Sequence, residues 1–262
     1  GAIIVVSGKS GIEAGTEKAW ELCEKYHLPR MFFVTDMDID DVSYRKAIED
    51  LTAVYGKKIA PFNMPIRDDG KFTGYVNVIQ QKAFRYKAIG VVEPTDIPDY
   101  SKEHLASYHT ILMEAVAETS EDFMERFFAG EEFSETEIRE AVRLSIQDGS
   151  IVPVCMGSGT AVHGVYNLMD DIEKYMPAAE SRKVSGINTN TNEIFKANFD
   201  VLKPKTAFVF KTIVDPFLGR YSLIKIRSGI FKTDDLVYNV STASEFKIGK
   251  LYICLLYTSP SP

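Results

Sequence analysis

The 262 residues are 45% hydrophobic and 26% charged, an ordinary globular composition that excludes a fibrous or wholly disordered chain. A net charge of −7 argues against broad, non-specific nucleic-acid binding and against DNA as a partner, while leaving room for a local basic patch. No apolar run is long enough to span a bilayer, so no membrane partner is expected, and the spacing of the three cysteines suits a reduced, cytoplasmic protein with Cys23 and Cys155 as small buried hydrophobes.

In chain order, residues 3–6 are a short β-branched apolar run, the pattern of a parallel strand buried on both faces. A turn-rich loop at 8–15 follows, then a helix over 16–26 with Ala19, Trp20, Leu22 and Cys23 at helical spacing. Residues 31–34 predict a second buried strand. The carboxylates within 38–41 offer caps for a helix that runs to about Tyr55 and turns Val42, Ala47, Ile48 and Leu51 inward. Strand, helix, strand, helix with short connections predicts an α/β layer on a parallel sheet.

The pattern then changes. Two β-rich stretches, 58–66 and 74–86, flank the turn signal Asp68-Asp69-Gly70. Helices are predicted over 101–117 and 120–128, and a third opens at the capping box Ser134 to Glu137 and ends near Gly149. Residues 151–154 return to a buried strand, with a helix over 164–176. About 57–150 thus reads as an α+β insertion within an α/β domain of residues 1–180. Residues 181–200, polar and rich in Ser, Asn and Thr, read as a linker. From 201 to 253 short strands separated by turns predict the start of a β-barrel or sandwich.

Both ends read as unnatural. The chain enters an apolar strand directly after Gly1, which implies sequence lost upstream. Residues 254–262, from Cys254 to Pro262, look like a translated sequencing adapter and stay outside the fold reasoning.

Gly8-Lys9-Ser10 has the end of a phosphate-binding loop, but Ile3 stands where that motif needs its first Gly, so the match is a lookalike. The informative segment is Thr35-Asp36-Met37-Asp38, at the carboxyl end of a buried strand, where ligands of open α/β sheets sit. A carboxylate there can accept two hydrogen bonds from the N1 and N2 edge of guanine. An Asp after a strand is also a common helix cap. The small-residue loop Gly157-Ser158-Gly159 follows the resumed strand and lets backbone N–H groups approach a ligand. The two loops end strands that should be neighbours, so both could touch one base.

These segments carry a resemblance. Thr16-Glu17-Lys18-Ala19-Trp20 and Leu28-Pro29-Arg30 resemble the later half of the GTP-binding domain of elongation factor G, a translational GTPase. Asp215-Pro216, Gly219-Arg220, Arg227-Ser228-Gly229 and Gly249-Lys250-Leu251 resemble the start of that family's β-barrel second domain, and the likeness runs to about Ile253. The resemblance puts the guanine-reading Asn-Lys-x-Asp motif on Thr35, Asp36, Met37 and Asp38, and the Gly-Ser-Ala motif on Gly157, Ser158 and Gly159.

It implies GTP or GDP as ligand, with Mg²⁺ in the complete protein. It also implies a ribosome partner, reached through ribosomal RNA at the β-barrel and the stalk at the insertion, and tRNA/mRNA translocation driven by GTP hydrolysis. Lys203, Lys205, Lys211, Arg220, Lys225 and Arg227 supply a basic cluster on the RNA-facing part. Asp38 keeps the key carboxylate, whereas Thr35, Asp36 and Gly159 replace Asn, Lys and Ala. The family's phosphate loop, first switch and Asp-x-x-Gly second switch are not among the 262 residues, so no catalytic or metal residue is assigned and this piece is expected to be inactive in hydrolysis. The substituted motif leaves open a non-hydrolysing ribosome-binding paralogue, and the coarse pattern alone leaves open an unrelated α/β enzyme.

Overall fold

The computed structural model describes residues 1–178, 184–188, 191–216 and 219–252. Residues 254–262, the expected adapter tail, lie outside the described residues, as do 181–183 and 189–190 of the expected linker and the two residues before it. The chain divides into two compact units, Gly1–Pro177 and the residues from Ala178 on.

The first unit is built on a four-stranded parallel sheet. Its strands are β1 (Ala2–Ser7), β2 (Arg30–Thr35), β3 (Ile59–Pro61) and β8 (Val152–Met156), in the order β1-β2-β8-β3. Helices α1 (Ala14–Lys25) and α2 (Tyr44–Tyr55) connect the first three strands. Alternate residues of β2 serve opposite faces, as the two-residue period of a strand requires. Phe32 and Val34 join Leu51, Ile48 and Val42 in one core, while Met31 and Phe33 join Phe62, Leu112 and Ile146 in the other. On α1, Trp20 stacks on Phe32 and Tyr55 and lies under the Arg30 guanidinium, 4.0 Å from the ring centre.

Two expectations are corrected here. β1 is buried on one face only: Ile4 and Val6 are inside, but Ile3 and Val5 are 37% and 59% exposed. The strand lies at the sheet's edge, and the face that carries Ile3 and Val5 is open to solvent. Nor do the carboxylates of 38–41 cap α2. Ser43 does so, its hydroxyl accepting the Lys46 N–H at 3.3 Å, and Asp41 sits in a turn at φ 63°.

After β3 the chain leaves the parallel sheet for an antiparallel one made of β4 (Asn63–Asp68), β5 (Lys71–Asn77), β6 (Lys82–Ala88) and β7 (Val91–Thr95). Asp69 and Gly70 form the β4–β5 turn at φ 48° and 82°, the left-handed pair that a two-residue hairpin needs. Helices α3 (Asp99–Ala117), α4 (Glu121–Phe128) and α5 (Glu135–Asp148) follow. The Ser134–Glu137 capping box opens α5, and Gly149 at φ 84° closes it. Helix α6 (Val165–Tyr175) completes the unit.

The second unit carries three two-stranded antiparallel sheets: β9 (Val184–Ile187) with β10 (Ile194–Ala197), β11 (Thr206–Asp215) with β12 (Gly219–Ser228), and β13 (Leu236–Asn239) with β14 (Ser244–Lys247). The first of these lies in the stretch read as a linker, where Val184, Ile187, Ile194 and Phe195 supply the strand formers.

Candidate functional site

The site is built at the carboxyl ends of β2 and β8, which pair directly, Phe33 opposite Cys155 and Val34 opposite Met156. Beyond the pairing, the Gly157 N–H donates to the Val34 carbonyl at 2.9 Å, and the Met37 N–H donates to the Gly157 carbonyl at 3.1 Å. The two loops picked out in the sequence are therefore hydrogen-bonded to each other. Buried Met37 anchors the first loop, leaving the Asp38 side chain exposed, with no hydrogen bond or ion pair among the described residues.

Asp36 is turned the other way. It sits at φ 66°, a left-handed conformation that Asp tolerates better than most residues. Its Oδ2 accepts the Ser7 hydroxyl at 2.6 Å. Ser7 Oγ in turn accepts the N–H groups of Lys9 and Ser10 at 3.2 and 3.3 Å, so Gly8-Lys9-Ser10 is a tight turn closed on Ser7. The Thr35 carbonyl accepts the Gly8 N–H at 2.9 Å.

In the second loop, the Ser158 N–H donates to the His163 carbonyl at 2.8 Å, and the Ser158 hydroxyl accepts the Ala161 N–H at 3.0 Å. Ser158 is buried, whereas Gly159 and Thr160 are exposed and their N–H groups have no acceptor among the described residues. A Cβ on Gly157 would lie 2.3 Å from the His163 carbonyl oxygen, so only Gly fits there; one on Gly159 would meet nothing within 4 Å. Asn63, buried at the start of β4, accepts the Met156 N–H on its Oδ1 at 3.0 Å and holds the end of β8.

This set can do one thing chemically: present a free carboxylate and unpaired backbone donors at the carboxyl end of the sheet. A planar base with two adjacent N–H donors fits it. Ser7 and Asn63 were missed in the sequence. Ser7 carried the signal of a polar residue at a strand's carboxyl end; Asn63 carried none. No group of three or more His, Cys, Asp or Glu among the described residues could hold a metal ion, and no described helix is long and apolar enough to cross a membrane.

The basic cluster of the second unit does not form one face. Lys211 and Lys225 share a side of the β11–β12 ribbon, but Arg220, paired with Val214, is offset by an odd number of residues from Lys225 on β12 and faces the other side. Lys205 is held by Asp235 at 2.7 Å, and Lys203 donates to the Lys196 carbonyl at 3.2 Å.

The chain is similar to the crystal structure of a protein from Thermus thermophilus, with a TM-score of 0.77 and 29% identity over 93% of this chain and 34% of that one. It thus spans about a third of that protein's length. The family model described as the elongation factor Tu GTP binding domain matches residues 1–178, the parallel sheet and both site loops included. The chain belongs to the elongation factor Tu GTP-binding-domain family.

Proposed function

We propose that residues 1–178 form the base-reading side of a guanine-nucleotide site in a ribosome-dependent translational GTPase of the elongation factor G type. The observation that carries this reading is the mutual locking of the loops after β2 and β8, with the Asp38 carboxylate left free beside them. Asp38 would accept the guanine N1 and N2 hydrogens, and the Gly159 and Thr160 N–H groups would donate to the base's O6. GTP or GDP would bring its own phosphates and Mg²⁺, whose binding is assigned to no residue here. In the complete protein, nucleotide hydrolysis would drive tRNA/mRNA translocation in the cytoplasm. The insertion would meet the ribosomal stalk, and the second unit ribosomal RNA.

Asp36 favours a second reading, a non-hydrolysing ribosome-binding relative whose nucleotide site has decayed and no longer takes the base. Its carboxylate stands where the family motif has a Lys whose stem covers the base, and it is committed to Ser7.

Guanosine, which asks only for base recognition, separates the readings. Titrated into ¹⁵N-labelled protein, it is expected to shift the Asp38, Ser158 and Gly159 amides with a Kd on the order of 1 mM, while adenosine leaves them in place. Equal shifts from both nucleosides, or none, would remove the nucleotide reading.

A further inference from the structure

We infer that the antiparallel sheet β4–β7 clamps the Gly157-Ser158-Gly159 loop through His163, which acts as a positioning residue for base recognition. The inference rests on the nucleotide reading above and adds a part to it.

The loop closes on His163. Ser158 and His163 form an isolated antiparallel bridge in which the Ser158 N–H donates to the His163 carbonyl at 2.8 Å. The turn is sterically tight on both sides. A Cβ on Gly157 would meet the His163 carbonyl oxygen at 2.3 Å, and one on Gly164 would meet the Met156 carbonyl oxygen at 2.4 Å. The position of His163 therefore sets the position of the Ser158 backbone.

His163 is held from the antiparallel sheet. Its ring stacks on Tyr86 of β6, with centroids 4.3 Å apart and planes 7° from parallel. Its other neighbour is Phe72 of β5, edge-on at 6.1 Å, and Phe72 and Tyr75 both pack on Tyr86. The Tyr86 hydroxyl and His163 Nδ1 are buried with no hydrogen-bond partner among the described residues. Ring faces, not a polar bond, thus make the contact. At the Gly90 turn between β6 and β7, an added Cβ would meet the Tyr166 ring of α6 at 3.1 Å, so the turn lies close to that helix.

The residue before His163 shows that the loop is constrained. Val162 sits at φ 58°, a conformation that a β-branched residue adopts only when its surroundings impose it. A bridge on one side and an aromatic stack on the other impose it here. A displacement of β6 would move His163 and with it the Ser158 amide, so the antiparallel sheet can tune the base loop from outside the nucleotide site.

Amide hydrogen exchange in this chain, with and without guanosine, tests the clamp. An aromatic pair of this geometry corresponds to about a twofold to tenfold effect. Tyr86→Leu and His163→Ala should each raise Ser158 exchange by about that factor and weaken guanosine binding in parallel. Exchange at Val34 in β2 and Val76 in β5 should not change, which separates loosening of the loop from loosening of the sheets. Tyr86→Phe and His163→Phe keep the ring faces and should behave as the parent chain. Unchanged Ser158 exchange in both truncations would overturn the clamp, whether or not guanosine binds. Faster exchange with unchanged guanosine affinity would overturn its role in base recognition. Should the parent chain give no guanosine response, the nucleotide reading fails, and Ser158 exchange alone decides whether the clamp exists.

Discussion

At the scale of single residues, two glycines of one loop have opposite constraints. Gly157→Ala drives a Cβ into the His163 carbonyl oxygen at 2.3 Å and the Phe33 ring at 2.9 Å, both set in packed structure. It should cost about 2 kcal/mol or more in urea unfolding and broaden the Ser158 amide signal. Gly159→Ala meets nothing within 4 Å and restores the residue that the family motif carries. It should be neutral or stabilising by about 0.5 kcal/mol in the same assay. Asp36 has a similar logic: its carboxylate closes the β1 turn through Ser7, so Asp36→Lys, although it restores the family residue, should destabilise by about 1 kcal/mol unless Ser7 is changed too. A double-mutant cycle of Asp36→Lys with Ser7→Ala measures that coupling.

At the scale of elements, α6 carries a buried carboxyl group. Asp171 is 6% exposed, and burial pushes its carboxyl up to about 7, against the pull of the Cys155 thiol, which donates to Oδ2 at 3.4 Å, and of Lys174. An unfolded Asp titrates near 4. Between those values the native state holds a proton that the unfolded state has released, so this group's contribution is full below about pH 4 and is lost as pH rises through about 7. Asp171→Asn should flatten that part of the profile, raising stability at pH 8 by on the order of 3 kcal/mol and leaving pH 4 nearly unchanged. Urea melts at the two pH values check this.

The elements also show what the sequence reveals and what it withholds. The Ser134–Glu137 box, the Asp69-Gly70 turn and the apolar runs of β2 and β8 were legible because each is a local pattern with a local cause. The two loops and Asp38 were legible because they end those runs. The pairing of β3 with β8, the Asn63 prop and the Ser7–Asp36 bond were not, because each joins residues far apart in the chain without a periodic signal. The helix cap went to Ser43 rather than to the nearby aspartates because Met37 is pulled into the core, which places 38–41 in turns.

At the scale of the whole molecule, the first unit has both site loops tied into a sheet with cores on two sides, and an open strand at one edge. Ile3 and Val5 on β1 are exposed beside backbone groups available for pairing, a template for self-association. Val5→Lys should lower light scattering on concentration without shifting the unfolding midpoint. In the second unit, each two-stranded ribbon exposes apolar side chains, Phe208, Val209 and Phe210 among them. Ribbons of this size are marginal alone, so their amides should exchange faster than those of β2 and β8.

The nucleotide reading depends on Asp38 recognising guanine, and a single substitution probes that role. Guanine offers two N–H donors to a carboxylate. Xanthine offers one donor and one acceptor, which matches the amide of Asn instead. In nucleoside titrations followed by amide shifts, the parent chain should prefer guanosine to xanthosine, and Asp38→Asn should reverse the order, each by about tenfold. A reversed preference, with the shifts centred on Asp38, Ser158 and Gly159, is expected if Asp38 reads the base; a preference that Asp38→Asn leaves unchanged would refute that role.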